Sequence, residues 1–209
     1  GTRAYGGDVG LTLEGDADDY ATVVTTGRFA RGLIAQSVGG GGGQYTGVQD
    51  GSGGPVKAVT TRLGARDGGG HAGEVAVTLG GAIQTSGHGA DGILAQSIGA
   101  GGGGIDLSPR GGSSRQLDII VGAQDGSEGD GKSVTFTDSA DGGITLSTAG
   151  DDAYGILAQS IGGGGGVGGA SHSGSLLSVS VGGRGGSSGD GAAVSVTLAS
   201  GSQISTAGD

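Results

Sequence analysis

The chain has 209 residues, of which 57 are glycine, 33% are hydrophobic and only 3% are aromatic, with no Trp, Met or Cys. The large side chains that normally fill a thick core are missing, so any core must be thin, and no disulfide can staple the fold. A formal charge of −10 disfavours nucleic acid and anionic membrane surfaces as partners, and no apolar run approaches the about 20 residues that a membrane-spanning helix needs.

The glycines do not follow the strict G-X-Y period of collagen, and there are only two prolines. Glycine-rich chains are often disordered, but here the aliphatic residues come in short clusters that recur in the same order. We therefore expect an ordered, repetitive structure. The chain begins at Gly1 without a methionine or a signal peptide, and we expect it to be a mature segment or a piece of a longer protein.

In chain order, the first recurrent pattern is an alternation of apolar residues with small or polar ones, which predicts a strand buried on one face. Its four occurrences are Val9, Leu11 and Leu13; Val75, Val77 and Leu79; Val134 and Phe136; and Val194, Val196 and Leu198. A second strand is predicted where an aliphatic residue lies two positions before a threonine, so that both side chains share one face. Those aliphatic residues are Val23, Ile83, Leu146 and Ile204.

A block of eight residues follows, with the sequence G-I-L-A-Q-S-I-G or conservative changes of it, and a run of glycines comes after each copy. The copies are 32–39, 92–99 and 155–162, and their first glycines lie 60 and 63 residues apart. A T-x-G element precedes each copy, and a fourth such element begins at Thr206. A further strand is predicted after each glycine run: Val59, Thr61 and Leu63, which is the weakest; Leu117, Ile119 and Val121; and Leu177, Val179 and Val181.

Self-similarity at a near-constant long period indicates a solenoid or an array. We treat 1–209 as a single repetitive segment, with a partial repeat 1–31 and repeats 32–91, 92–154 and 155–209, the last of them truncated. No apolar pattern sustains a helical spacing, and glycine would cost about 1 kcal/mol per interior helix position relative to alanine, so we predict essentially no helix.

Three short strands separated by turns of Gly, Asp and Ser have the size of one coil of a parallel β-helix, in which neighbouring coils stack about 4.8 Å apart. We therefore predict an all-β repeat solenoid, a parallel β-helix with glycine-rich segments, in which each period holds two or three coils. An array of antiparallel hairpins would produce the same alternation and is the alternative.

The motif T-x-G-x-x-A-x-G-I-L-A-Q-S-I-G-G-G-G-G, matched well from Thr85 to Gly104 and from Thr148 to Gly166, resembles the glycine-rich repeats in passenger regions of bacterial autotransporter proteins. The resemblance covers nearly the whole chain. It implies a right-handed β-helical passenger with few or no cysteines, secreted through an outer-membrane translocator of the same protein and exposed at the cell surface. We recognise no translocator segment, so only passenger material is expected here. The functions of such passengers vary too widely to carry over.

The A-Q-S-I-G part of the block resembles a relaxed form of the G-x-S-x-G nucleophile elbow. Its serine recurs in every copy, as Ser37, Ser97 and Ser160. A hydrolase instead needs one serine with one histidine and one acid. The histidines occupy non-equivalent positions and are interpreted as exposed turn residues: His71, His88 and His172. The sequence therefore predicts no catalytic residue and no enzymatic activity.

The chain carries partial signals for calcium binding. Gly101–Asp106 begins the G-G-x-G-x-D-x-U-x motif of calcium-binding repeats, but Ser108 stands where an aliphatic residue is needed and the motif is not repeated in tandem. Asp16, Asp18 and Asp19, or Asp151 and Asp152, could give weak oxygen sites for a hard cation, but solvated turns are the simpler interpretation. The lysine and Ser/Thr of a phosphate-binding loop follow none of the glycine runs. We predict no metal and no cofactor.

Gln36, Gln96 and Gln159 occupy one position of the block, and stacked amides can form hydrogen-bonded ladders. Such a ladder needs neighbours about 4.8 Å apart, which only a single large coil per period would supply. With two or three coils per period the glutamines cannot touch, and we expect them to bond local backbone. Glycine runs such as 162–166 are expected to be closely packed backbone rather than slack loops.

We expect a structural function: an extended stalk or adhesive segment outside the cell, tethered to the bacterial outer membrane. Its partner would be a ligand on a host or neighbouring cell, or another copy of the chain, since the ends of a solenoid expose strand edges. One alternative is a β-helical enzyme acting on polysaccharide, which needs a groove of non-repeated charged residues. The other is a regular-surface module such as an ice binder, which needs aligned T-x-T rows; Thr135 and Thr137 form one pair that the sequence does not sustain.

Overall fold

A computed structural model describes residues 3–15, 20–50, 59–64, 69–110, 117–123, 127–141, 143–170, 177–181 and 187–208. These residues form sixteen strands and contain no helix. The prediction of an all-β chain without helix is therefore confirmed for the part of the chain that is described.

The strands repeat in four layers; layers 1 to 3 pass through the same strand positions in the same order, and the described strands of layer 4 occupy the first two positions. Layer 1 contains β1 (Val9–Glu14), β2 (Ala21–Thr25), β3 (Leu33–Val38), β4 (Gly42–Asp50) and β5 (Val59–Leu63). Layer 2 contains β6 (Val75–Thr85), β7 (Ile93–Ile98), β8 (Gly102–Arg110) and β9 (Leu117–Val121). Layer 3 contains β10 (Val134–Asp138), β11 (Thr145–Thr148), β12 (Ile156–Ile161), β13 (Gly165–Ala170) and β14 (Leu177–Val181). Layer 4 contains β15 (Val194–Thr197) and β16 (Gln203–Thr206).

Strands at the same position in successive layers pair in parallel, with equivalent residues in register. Three of the sheets have three strands each, in the orders β3-β7-β12, β4-β8-β13 and β5-β9-β14. In the fourth, the long strand β6 pairs with β1 and β10 through its first half and with β2 and β11 through its second half. All strand pairings among the described residues are parallel, so the antiparallel-hairpin alternative is wrong.

Each period forms one layer, and the prediction of two or three coils per period is also wrong. The prediction counted three strands in one coil and did not include the glycine runs or the strand after each run. The glycine runs continue as the strands β4, β8 and β13, which pair with one another from Gly42, Gly102 and Gly165 onward. The strand after each run likewise pairs only with its own counterparts, β5 with β9 and β9 with β14. All the described strands of one period thus lie within a single layer.

The core is built from equivalent aliphatic residues of successive layers that stack on one another. Val75, Val77 and Ile83 of β6 are at most 1% exposed, and Phe136 of β10 is the largest fully buried side chain. Burying one such side chain contributes about 1.5–3 kcal/mol. Strand β7 buries all six of its side chains, so both faces of the β3-β7-β12 sheet are covered in layer 2.

Candidate functional site

The T-x-G-x-x-A element forms the corner between the second and third strand of a layer. In layer 1 the Thr25 hydroxyl donates a hydrogen bond to the Ala30 carbonyl at 2.5 Å, and the Ala30 N–H donates to the Gly27 carbonyl at 3.1 Å. Phe29 turns the chain with a φ of 55°, in the left-handed region. The same hydroxyl-to-carbonyl bond recurs at the corners of layers 2 and 3. The repeated sequence therefore fixes the direction in which each block strand leaves the corner.

Gln36, Gln96 and Gln159 form a hydrogen-bonded ladder through three layers. The Nε2 of Gln36 donates to Oε1 of Gln96 at 2.5 Å, and Nε2 of Gln96 donates to Oε1 of Gln159 at 2.7 Å. The expectation that these glutamines bond local backbone is wrong, because one layer per period makes them direct neighbours. Gln96 is completely buried, and the ladder supplies its amide with a donor and an acceptor.

The serine of the block links layers to each other. The Oγ of Ser97 donates to the Gly73 carbonyl at 2.8 Å and accepts the backbone N–H of Lys132 at 2.7 Å. Ser37 makes the same two kinds of bond one layer earlier, and Ser160 accepts an N–H from layer 4. Because each hydroxyl is engaged with backbone groups, these contacts give the serine a structural role in layers 1, 2 and 3.

A buried ion pair joins layers 1 and 2 beside the corner. The Nε of Arg31 lies 2.7 Å from Oδ2 of Asp91, and both side chains are only 3% exposed. The other carboxylate oxygen of Asp91 accepts the backbone N–H of Tyr154 in layer 3 at 2.9 Å. Arg31, Asp91 and Tyr154 each stand immediately before the first glycine of a block copy. The opposite charges of Arg31 and Asp91 at this repeated position are the sequence signal that could have predicted the ion pair.

Asp138 holds a second buried carboxylate, at a position where the paired strand of layer 2 has a leucine. Its oxygens accept the backbone N–H groups of Ala140 at 2.8 Å, Ile144 at 3.1 Å and Ala199 at 3.2 Å. The Ser202 hydroxyl donates to the same carboxylate. Burial raises the pKa of Asp138, but the hydrogen bonds from Ser202 and the backbone outweigh it and leave the pKa below its ordinary value. Asp138 therefore ties layer 4 to layer 3 as a carboxylate.

His71 is half-buried rather than exposed, because its ring stacks on Tyr5 with the centroids 5.8 Å apart. Its Nδ1 accepts the backbone N–H of Asp130 at 3.0 Å and lies 3.1 Å from the carboxylate of the same residue. The backbone N–H of Asp190 donates to the Asp130 carboxylate and lowers the pKa of Asp130; burial opposes the shift, and the side chains of His71 and Lys132 reinforce it.

His88 is half-buried for the same kind of reason, since its ring packs at a tilt on Phe29 with the centroids 5.6 Å apart. Its Nδ1 lies 2.9 Å from the carbonyl oxygen of Asp151 and 3.7 Å from the carboxylate of Asp152. The interpretation of His71 and His88 as exposed residues is thus wrong about their exposure. His172 lies outside the described residues.

The candidate cation positions do not converge in the part of the chain that is described, where no group of three or more His, Asp or Glu is placed to hold a metal ion. Asp151 and Asp152 lie exposed at the layer 3 corner. Asp106, the acidic residue of the partial calcium motif, lies within strand β8. Asp16, Asp18 and Asp19 lie outside the described residues. The described residues contain no helix, and so none that could span a membrane.

The fold and these contacts define an all-β protein in which repeats stack as parallel, in-register layers joined by buried polar side chains. No protein-family model matches the chain, and comparisons with curated proteins and with solved structures find no match.

Proposed function

We propose that the chain is a structural passenger segment of a bacterial autotransporter, exposed at the cell surface as an extended stalk or adhesin. In this proposal the four layers are successive coils of a right-handed parallel β-helix, with one coil per repeat. The repeated motif that resembles autotransporter passengers supports the proposal, as does the absence of cysteine.

The observation that carries the proposal is the in-register stacking of one repeat on the next. A β-sheet spacing of about 4.8 Å per layer means that each repeat lengthens the stack only slightly. A period of 60 to 63 residues therefore adds one layer to the stack. The hydrogen bonds between strands run along the stack, which suits a segment that bears tension between a cell and its contact.

Surface labelling in the source bacterium tests the cellular part of the proposal. Because this segment has no cysteine, Val24→Cys in the full-length protein gives the segment its one thiol, at a position that is 62% exposed, and labelling is compared with that of the unmodified full-length protein. A membrane-impermeant maleimide should label this variant on intact cells. Ile83→Cys, at a completely buried position, is the matched control and should react only after unfolding. Labelling of Val24→Cys only after cell lysis would contradict a surface location.

A regular-surface binding module is a second candidate. The T-x-T pair is not repeated along the sequence, but the structure aligns one of its two threonine positions from layer to layer. Thr12, Thr78, Thr137 and Thr197 are in register across all four layers. The adjacent outward position is less regular: Gly10, Ala76, Thr135 and Ser195. Inhibition of ice recrystallisation by the purified chain, lost in Thr78→Lys and kept in the control Ser147→Lys, would favour this function. No inhibition by the unmodified chain would exclude an ice binder.

A further inference from the structure

The pairing of the glycine strands β8 and β13 does not rest on matching residues. A glycine stands opposite a larger residue at three successive positions: Val167 opposite Gly104, Gly168 opposite Ile105 and Gly169 opposite Asp106. Register is weakly specified in glycine-rich strands, because no pattern of side chains is lost when one strand slips along the other. The source of their register therefore lies elsewhere in the layer.

The glycine strands follow the block strands β7 and β12 after only three residues, Gly99–Gly101 in layer 2 and Gly162–Gly164 in layer 3. These two connections are bonded to each other. The N–H of Gly164 donates to the carbonyl of Gly99 at 2.7 Å, and the N–H of Gly165 donates to the carbonyl of Gly101 at 3.3 Å. Because the connections are short and bonded to each other, a slip of the block strands would carry the glycine strands with it.

The block strands β7 and β12 carry two polar pairs in register, Gln96 with Gln159 and Ser97 with Ser160, and their other four pairs are apolar. A slip by one residue would turn every side chain to the other face, whereas a slip by two residues would keep the faces. The Ser97 hydroxyl bonds only backbone groups, and an extended backbone presents equivalent groups at every second residue. Neither the apolar pairs nor the serine therefore opposes a slip by two residues.

The bond between Gln96 and Gln159 does oppose such a slip, because its acceptor is one particular side chain. The Nε2 of Gln96 donates to Oε1 of Gln159 at 2.7 Å, and Gln96 is completely buried. A slip by two residues would bring Gln96 opposite Leu157 or Ile161 and remove that acceptor. A buried amide group without a partner is costly, so this rung of the ladder separates the observed register from its nearest alternatives.

From these observations we propose that the buried rung between Gln96 and Gln159 is a register key for layers 2 and 3. By holding β7 in place against β12, it determines which residues of the glycine strands β8 and β13 face each other. A single buried polar side chain fixes the register of some coiled coils in the same way. The proposal goes beyond the structural role proposed above, because a register key acts in the fold wherever the protein is located.

Disulfide trapping in the purified chain reads the register of β8 and β13, since the chain has no cysteine of its own. Leu107→Cys with Ala170→Cys reports the observed register, in which these two residues are paired. Two slipped pairs report a shift by two residues in either direction: Asp106→Cys with Val167→Cys, and Ile105→Cys with Ala170→Cys. In the observed register the Cα atoms of each slipped pair are about 8 Å apart, which is too far for a disulfide.

Each cysteine pair is placed in the unmodified chain, in Gln159→Leu and in the matched control Gln36→Leu. Gln159→Leu removes the rung between layers 2 and 3, whereas Gln36→Leu removes the rung between layers 1 and 2 and leaves Gln96 bonded to Gln159. Under mild oxidation the slipped pairs should form disulfides roughly tenfold faster in Gln159→Leu than in the unmodified chain, because the Gln96 amide then lacks this acceptor in every register. In Gln36→Leu their rate should equal that in the unmodified chain.

Three results would overturn the proposal: slipped pairs that react as readily as the in-register pair in the unmodified chain, an unchanged rate in Gln159→Leu, or an equal or larger rise in Gln36→Leu. If Gln159→Leu loses its strand signal in circular dichroism, Gln96→Leu/Gln159→Leu takes its place, because replacing both partners by apolar groups can be nearly neutral. Its slipped pairs should also react faster, and an unchanged rate would equally refute the register key. None of these results bears on the cell-surface location, so the two proposals fail separately.

Discussion

Arg31 and Asp91 stand 60 positions apart and form a buried ion pair between layers 1 and 2, with Nε and Oδ2 2.7 Å apart. Removing one member of such a pair leaves the other charge buried without its partner. We therefore expect Asp91→Ala to lower the free energy of unfolding by about 3–5 kcal/mol. Chemical denaturation measures this, with the exposed Glu14→Ala as a control that should change it by no more than about 0.5 kcal/mol. Equal effects of the two substitutions would contradict the assigned ion pair.

The glutamine ladder gives a pH-dependent prediction. In Gln96→Glu, a protonated carboxyl would donate to Oε1 of Gln159 and accept from Nε2 of Gln36, which restores both ladder bonds. An ionised carboxylate would lie buried and face an oxygen. Burial therefore raises the folded-state pKa of the new carboxyl above its unfolded value, so the variant is most stable below the unfolded value and loses stability as pH rises through the folded one.

The measurement is the difference in unfolding free energy between Gln96→Glu and the unmodified chain at a series of pH values. At neutral pH the loss should exceed that of Gln96→Leu, which leaves two amide groups unpaired at a cost of about 1–3 kcal/mol. Near pH 4 the loss should shrink. A deficit that is independent of pH would show that residue 96 does not lie within a ladder.

The contribution of Asp138 to stability changes with pH in the opposite direction. Its pKa is lowered in the folded chain, so its contribution to stability is present above the unfolded pKa of about 3.9 and is lost as pH falls through the folded value. At neutral pH, Asp138→Ala should lower the free energy of unfolding by about 1–3 kcal/mol, because buried N–H groups of layers 3 and 4 lose their acceptor. The difference from the unmodified chain should diminish in acid. The exposed neighbour Asp141→Ala serves as the control and should show little effect at either pH.

The glycine run that begins at Gly162 is packed backbone, which makes it sensitive to added side chains. Gly164 has a φ of 81°, and a Cβ there would overlap the backbone nitrogen of Ala123. Gly164→Ala should therefore lower the melting temperature, and Gly164→Val should lower it further. Gly10→Ala is the control: an added Cβ there meets nothing within 4 Å, and the change should be neutral or stabilising by about 0.4–1 kcal/mol. Unchanged melting in both Gly164 variants would mean that the run is only a linker.

The sequence predicted the strands that carry alternating side chains but not the glycine strands. Val75 and Val77 alternate with smaller residues, and this period of two indicates a strand whatever lies beside it. Strand β8 begins with three glycines, which have no side chains and so no alternation, and its pairing was invisible for that reason.

The number of residues in each layer could not be predicted either. A strand pattern is the same whether its neighbour lies 20 or 60 positions along the chain, since local alternation carries no information about the partner. The charges of Arg31 and Asp91 at equivalent positions did carry that information. Asp138, a polar residue where the alternating pattern of Val134 and Phe136 calls for another apolar one, indicated a buried polar site but not the length of a layer.

The central claim is that each repeat forms one layer, and distances between spin labels test it directly. Because the chain has no cysteine, labels can be placed in pairs at Thr12 and one of its in-register equivalents, Thr78, Thr137 or Thr197. Electron paramagnetic resonance should give a distance that increases by about 4.8 Å with each additional repeat. Increments of about 10 to 14 Å per repeat, the value for two or three coils in each period, would contradict the account.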